Sequence, residues 1–153
     1  MKIFIDADAC PVKEETYKVA LRYQISVIVV ANKRMQIPLH PLISIEVVGQ
    51  GADVADDWIV DHIDEFDICI TNDIPLADRC LKKSAFVLGA RGDEFTDDMI
   101  GEAMATRELM NHLRELGTMG GGPPPFEKKD RSQFLSSLDR IIHKIKRLNL
   151  INR

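Results

Sequence analysis

Two carboxylates stand two residues apart near the start of the chain, in the segment Asp6-Ala7-Asp8. Paired carboxylates repel each other unless a positive group lies between them, and a divalent metal ion with oxygen ligands is the usual solution. Such an ion can activate a water molecule and neutralise charge on a phosphoryl group. The alternative is that one aspartate caps the helix that follows while the other is solvated. The pair by itself is compatible with both.

The apolar residues before this pair do not alternate with polar ones, which predicts a strand buried on both faces of a parallel sheet. The same pattern of apolar strand, carboxylate and helix recurs at Asp73. Open α/β sheets bind ligands at the carboxyl ends of their strands. If the two strands are neighbours, Asp73 joins Asp6 and Asp8 at that edge. We therefore assign Asp6, Asp8 and Asp73 as candidate catalytic residues.

A further group of carboxylates follows Gly49-Gln50-Gly51. A helix that starts near Asp53 places Asp53 and Asp57 on one side, with Asp56 at the margin of that side. An acidic helix face is most often solvated surface, but the position of these acids just after a strand allows them to face the same edge. We expect Mg²⁺ or Mn²⁺ to be held by ligands from this set: Asp6, Asp8, Asp53, Asp57 and Asp73.

Four polar residues near the predicted edge are candidates for binding the substrate: Asn32, Thr71, Asn72 and Arg91. Asn32 follows the second predicted strand. Thr71 and Asn72 can orient a ligand or a water molecule, and can equally cap the next helix. Arg91 can hold a phosphate through two hydrogen bonds, or form a salt bridge to one of the site carboxylates.

The formal charge of -4 hides an asymmetry between the two parts of the chain. Residues 128–153 hold eight Lys or Arg against two Asp, whereas the first 127 residues hold 12 basic against 22 acidic residues. The acidic body argues against a general nucleic-acid surface, so that only the basic tail is an obvious candidate to touch phosphates. Three cysteines without CxxC spacing argue against a disulfide framework or a zinc knuckle. No segment approaches the ~18 apolar residues of a membrane span, and we expect a cytoplasmic protein.

The elements alternate as strand, helix, strand, strand, helix, strand, helix, strand, which favours a mostly parallel sheet with helices on both faces over residues 1–117. Prolines are expected in the first turns of two helices, at Pro11 and Pro75. A further helix is predicted from Thr96 to about Leu116. The Gly/Pro-rich residues 118–127 exclude a regular element and form a connection. Residues 128–153 then predict a basic amphipathic helix, packed on the domain or on a second copy as a homodimer.

Six motifs in their order along the chain carry a resemblance to a known family: Asp6-Ala7-Asp8-Ala9-Cys10-Pro11, Val30-Ala31-Asn32, Gly51-Ala52-Asp53-Val54-Ala55-Asp56-Asp57, Thr71-Asn72-Asp73-Ile74-Pro75-Leu76-Ala77, Arg91-Gly92 and Gly121-Gly122-Pro123. Over nearly its whole length the chain resembles the YaiI/YqxD family of uncharacterised bacterial proteins. That family is similar to the PIN-like superfamily, whose nucleases, including the NYN branch, bind Mg²⁺ or Mn²⁺ through aspartates and cut RNA or DNA.

The resemblance implies a three-layer PIN-like α/β fold and a role for four aspartates. Asp6 and Asp73 match the acids that follow the first and fourth strands, and Asp53 and Asp57 match the helix acids. The pattern leaves the roles of Asp8 and Asp56 open. The function predicted on this basis is a divalent-metal-dependent nuclease, acting on RNA or another nucleic acid.

Two other classes of function remain open. A haloacid dehalogenase-type phosphatase begins in a similar way, with the first aspartate as nucleophile and the second as general acid, here Asp6 and Asp8. Against that class, Cys10 stands where its pattern expects threonine, and no lysine followed by an acidic pair is evident. A non-catalytic domain that binds RNA or a protein is the third alternative.

Overall fold

A six-stranded sheet forms the centre of the protein in the computed structural model, which describes residues 1–8, 10–51, 53–102, 105–106 and 125–151. Its strands are β1 (Lys2–Asp6), β2 (Ser26–Ala31), β3 (Ile43–Val47), β4 (Ile68–Ile70), β5 (Phe86–Leu88) and β6 (Glu94–Phe95). They lie in the order β3-β2-β1-β4-β5-β6. The first five strands are parallel and β6 is antiparallel to β5. The predicted mostly parallel sheet is confirmed.

Helices cover both faces of this sheet. They are α1 (Lys13–Arg22), α2 (Val54–His62), α3 (Ile74–Leu81) and the C-terminal helix (Lys128–Ile151). Residues 97–102 are also helical. The end of the helix predicted to reach Leu116, and the connection predicted over residues 118–127 except its last three residues, lie outside the described residues. The described helices and sheet form three layers, as predicted for this α/β fold.

Alternate side chains of β1 enter two different cores, because successive residues of a strand point to opposite faces. Ile3 and Ile5 pack with α1 and the C-terminal helix on one face. Phe4 packs with α2 and α3 on the other face. All three side chains are fully buried. The unbroken apolar run is therefore explained by helices on both sides of the strand.

The C-terminal helix is part of the first core. Its fully buried side chains recur at helical spacing and are Phe134, Leu138, Ile141, Ile142 and Ile145. Burial of each such side chain stabilises the fold by about 1.5–3 kcal/mol relative to exposure. The apolar stripe of this helix is thus covered within the chain itself. No helix in the described part of the chain is long and apolar enough to cross a membrane.

The structure differs from the sequence-based expectation at several element ends. Helix α1 begins at Lys13 rather than at Pro11, which lies in the preceding turn. Pro75, in contrast, lies in the first turn of α3 as expected. The apolar run from Phe66 to Thr71 predicts the fourth strand, but β4 begins only at Ile68, because the φ of 70° at Phe66 is incompatible with an extended strand. The short strand β6 was not expected at all.

Candidate functional site: a pocket of carboxylates

The carboxyl ends of β1 and β4 lie side by side at the centre of the sheet. The chain adds strands in one direction from β1 to β3 and in the other from β4 to β6, so β1 and β4 flank the point where the strand order reverses. This point is where open α/β sheets bind ligands. Asp6 ends β1, and Thr71, Asn72 and Asp73 follow β4. The condition for their convergence, that the two strands are neighbours, is met.

A cavity of about 250 Å³ opens at this point, and four carboxylates line it. Its lining residues are Asp6, Asp8, Cys10, Asp56, Ile70, Thr71, Asn72, Asp73 and Ala90. Within the described ranges no Lys, Arg or His forms an ion pair with any of these four aspartates. The cavity is therefore a concentration of negative charge without an ion pair to a cation of the described chain. We call it the carboxylate pocket.

Thr71 forms hydrogen bonds with both Asp6, the last residue of β1, and Asp73, the N-cap of α3. Its hydroxyl donates to Oδ2 of Asp6 over 2.8 Å and accepts from the backbone N–H of Asp73 over 3.0 Å. Oδ1 of Asp73 accepts from the N–H of Leu76 over 3.0 Å, which caps α3. Since Thr71 is only 4% exposed, this residue orients the carboxylates instead of presenting its hydroxyl to solvent. Asp6 and Asp73 each keep one oxygen outside these hydrogen bonds.

Asp8 lies at the exposed rim of the pocket. The Asn32 side-chain amide donates to its Oδ2 over 3.0 Å, so that this residue, a candidate for substrate binding, contacts a site carboxylate. The ammonium of Lys13 donates to the carbonyl of Cys10 over 2.9 Å and so holds the turn that carries Asp8. The position of Asp8 is thus fixed from β2 and from α1.

Burial and mutual repulsion raise the pKa of two pocket carboxyls. Burial is the main cause that raises the pKa of Asp6, with further contributions from the charges of Asp8 and Asp73; the hydrogen bond from Thr71 acts in the opposite direction. Burial, followed by the charges of Asp73, Asp6 and Asp53, raises the pKa of Asp56 to about 6. Each ionised carboxylate in the pocket makes ionisation of the next one less favourable. A bound cation would relieve this repulsion.

Asp56 is the residue of α2 that reaches the pocket, whereas Asp53 and Asp57 do not line it. Asp53 occupies the N-cap position without a side-chain capping bond, and Asp57 forms an ion pair of 2.9 Å with Arg79. The buried face of α2 contains Ala55. At about 100° per residue, Asp56 lies at the border of that face and Asp57 almost opposite it. This periodicity was available in the sequence and would have distinguished the two acids.

The loop after β5 is attached to the rest of the protein through Asn72 and through its own Arg91. Oδ1 of Asn72 accepts from the N–H of Ala90 over 2.9 Å, which fastens that loop to the end of β4. Arg91 forms an ion pair of 3.4 Å with the buried Asp130, and its guanidinium lies over the ring of Phe126. Of the two roles considered for Arg91, a salt bridge is present, but its partner lies on the C-terminal helix instead of in the pocket.

The donor set of the pocket fits a hydrated Mg²⁺ or Mn²⁺ ion. In the part of the chain that the structure describes, no three His, Cys, Asp or Glu side chains are close enough to form a ready-made metal site. A metal ion that exchanges most of its bound water for protein ligands would need three such side chains. Mg²⁺ instead keeps several waters and is commonly bound through only one or two carboxylates. Asp6 and Asp73, each with an oxygen outside the hydrogen bonds described above, are the residues suited to this role.

Comparison with known proteins places the chain among bacterial relatives. The model of the YaiI/YqxD family, described as uncharacterized BCR, matches residues 4–144. A UPF0178 protein of Paramagnetospirillum magneticum is 57% identical over 147 residues, which cover 96% of this chain and 97% of that protein. A UPF0178 protein of Rhodospirillum rubrum is 51% identical over 148 residues, covering 96% and 99% of the two chains. The chain therefore belongs to the YaiI/YqxD family, as its motifs predicted.

Proposed function

We propose that the carboxylate pocket binds Mg²⁺ or Mn²⁺ and that the protein is a nuclease, which hydrolyses phosphodiester bonds of RNA. The observation that carries this proposal is the convergence of Asp6, Asp8, Asp56 and Asp73 in one cavity without an ion pair to a cation among the described residues. Titratable groups with perturbed pKa values in a cleft are characteristic of functional sites. The expected compartment remains the cytoplasm, since three free thiols suit a reducing environment.

Each pocket residue has a role that follows from its surroundings. When bound, the ion would activate a water molecule and offset the charge that develops on the phosphoryl oxygens. Asp6 and Asp73 are oriented by Thr71 to hold the ion. Asp56 lines the same cavity as these ligands and is a carboxylate that would accept a proton from the attacking water. Asp8 supplies a further carboxylate at the rim.

The test is cleavage of a labelled single-stranded RNA in Mn²⁺, in Mg²⁺ and in EDTA. Asp6→Asn and Asp73→Asn remove a charge but keep an oxygen acceptor, so that the bond from Thr71 and the cap of α3 survive. Asp57→Asn is the matched control, because Asp57 lies outside the pocket. We expect the two pocket variants to lose more than about 100-fold in rate, and the control to retain its activity. Cleavage that continues in EDTA or in both pocket variants would contradict the proposal.

The same preparation separates the two alternatives. A phosphatase of the haloacid dehalogenase type forms an acyl-phosphate on Asp6, which a phosphate mimic would trap. A binding domain would retain salt-sensitive RNA binding in the presence of chelator and after Asp6→Asn, with no cleavage under any condition. The nuclease proposal requires metal-dependent cleavage and no covalent intermediate on Asp6.

A further inference from the structure

A second cavity, of about 430 Å³, lies between the loop after β5 and the C-terminal helix. Two arginines and three serines contribute to its lining: Arg91, Arg140, Ser132, Ser136 and Ser137. Consecutive residues of one loop line the two cavities: Ala90 lines the carboxylate pocket, and Arg91 lines the second cavity. We call this second cavity the arginine groove.

The floor of the groove is fixed by close contact between the loop and the helix. Gly92 has a φ of 92°, and a Cβ at this position would lie 2.9 Å from the backbone of Gln133. Only glycine allows this approach without strain. The Ser137 hydroxyl donates to the carbonyl of Gly92 over 2.7 Å, and the Arg140 guanidinium donates to the same hydroxyl over 3.3 Å. The Arg140 side chain is therefore held at the groove by its hydrogen bond to Ser137.

The chemistry of the groove suits a phosphate. Arg140 has no carboxylate partner within the described ranges, and Ser132 and Ser136 are exposed hydroxyls beside it. Guanidinium groups and hydroxyls are among the side-chain groups that contact nucleic-acid phosphates. Asp93 is the acidic member of the lining, and Arg91 is already paired with Asp130, so that Arg140 is the arginine of the groove that a phosphate would contact.

A negatively charged strand also requires such a neighbouring site. The carboxylates of the pocket repel the phosphates on either side of a scissile bond, even when a cation offsets part of their charge. A cationic groove one residue further along the same loop would counter this repulsion. We propose that the arginine groove binds a backbone phosphate of the nucleic-acid strand whose scissile phosphodiester enters the carboxylate pocket. This inference rests on the proposed function, and it adds the substrate-binding surface.

The experiment measures the affinity of a labelled single-stranded RNA for the full chain in EDTA, where metal-dependent cleavage is absent. Arg140→Gln removes one phosphate contact, which should weaken binding about fivefold at ~0.1 M salt and lower the slope of log K against log salt by about 0.7. Arg140→Lys keeps the charge and should retain most of the affinity. Arg147→Gln is the matched control, because Arg147 is an exposed arginine of the same helix outside the groove.

Equal loss of affinity in Arg140→Gln and Arg147→Gln would overturn the groove, because it would show diffuse attraction to a basic helix. Absence of RNA binding by the wild type would overturn it as well. Inorganic phosphate at constant ionic strength distinguishes a strand from a free anion: it should displace little RNA, and complete displacement would contradict a strand. Arginine-dependent binding without cleavage in Mn²⁺ would refute the nuclease alone. Cleavage without dependence on Arg140 would refute the groove alone.

Discussion

The acidic side chains beside the C-terminal helix and those of the carboxylate pocket differ in their partners. Beside the helix, Glu15 pairs with Arg131 over 3.0 Å and Glu94 pairs with Lys144 over 3.1 Å. The buried Asp130 on the helix itself pairs with Arg91. In the pocket, four aspartates face one cavity without an ion pair to any described residue. The first group fastens the helix to the domain, and the second has negative charge that no ion pair with a described residue balances.

This difference explains why the basic C-terminal segment is not simply a tail for nucleic acid. Arg131 donates to the carbonyl of Pro11 over 2.6 Å as well as to Glu15, which ties the helix to the turn beside the pocket. Part of its positive charge is therefore committed to holding the fold. Arg140 and Arg147 have no carboxylate partner among the described residues, and Arg140 differs from Arg147 in lining the arginine groove, where it donates to Ser137.

Among the acidic side chains that pair with a cation, Asp130 should lose the most stability on substitution by alanine. Asp130 is 5% exposed, accepts from the N–H of Glu127 over 2.9 Å and pairs with Arg91. Loss of these hydrogen bonds to a charged group costs about 2 kcal/mol of the free energy of unfolding, which chemical denaturation would measure. Asp130→Asn keeps the acceptor and should lose less. An unchanged free energy of unfolding in the alanine variant would show that this carboxylate does not fasten the helix.

Within the pocket, Thr71→Val tests the orientation of the carboxylates. The variant loses the donor to Asp6 and the acceptor for the N–H of Asp73, at a cost of about 1–2 kcal/mol of stability. Because the Thr71 hydrogen bond lowers the pKa of Asp6, its removal should raise that pKa further. Carbon NMR titration of the Asp6 carboxyl measures the change. Thr71→Ser keeps the hydroxyl and should leave the pKa in place; an unchanged pKa in the valine variant would refute this role.

In the carboxylate pocket, where the aspartates have no ion pair to a described residue, removal of one charge should increase the free energy of unfolding. Asp56 has its pKa raised from 3.8 to about 6, so the folded state holds its proton more tightly than the unfolded state. The cost of ionisation is absent below the unfolded pKa of 3.8 and is complete above about pH 6. Asp56→Asn should therefore stabilise the metal-free protein at pH 8 by about 1 kcal/mol, after allowance for solvent screening, and leave it unchanged at low pH.

Asp57→Asn supplies the contrast for that measurement. It removes an exposed ion pair to Arg79, which contributes at most about 0.5 kcal/mol, so its effect should be small and destabilising. Thermal or urea unfolding of the two variants in EDTA, at pH 8 and at low pH, measures both changes in the free energy of unfolding. We expect an increase for Asp56→Asn and a small decrease for Asp57→Asn at pH 8. Equal changes in the free energy of unfolding at pH 8 would contradict the difference proposed between the pocket carboxylates and the ion-paired ones.

Much of the fold could be predicted from local patterns. Apolar runs followed by helices give the parallel order, and the recurrence of the same pattern at Asp6 and Asp73 correctly indicated that both lie at the carboxyl edge of the sheet. Cys69 and Cys80 stand in apolar runs that predict core positions, and both side chains are fully buried. These features depend on periodicity and on the fixed direction of βα units, which a single sequence contains.

The remaining features depend on tertiary contacts that local patterns do not encode. The pairing of Arg91 with Asp130 joins residues 39 positions apart. Strand β6 has only two residues and forms because β5 offers it an edge. The family resemblance favours Asp57 over Asp56 as a ligand, whereas the rotation of α2 about its buried face brings Asp56 to the pocket.

Thermal unfolding with Mn²⁺ or Mg²⁺ tests most directly whether the carboxylate pocket holds a divalent cation. A cation at about 100 times its Kd stabilises the folded state by about 2.7 kcal/mol, which corresponds to a rise in Tm of about 5–10 °C for a chain of this size. The double variant Asp6→Asn with Asp73→Asn should lose this rise, while Asp57→Asn should keep it. Absence of a metal-dependent rise in the wild type, or the same rise in the double variant, would contradict the account.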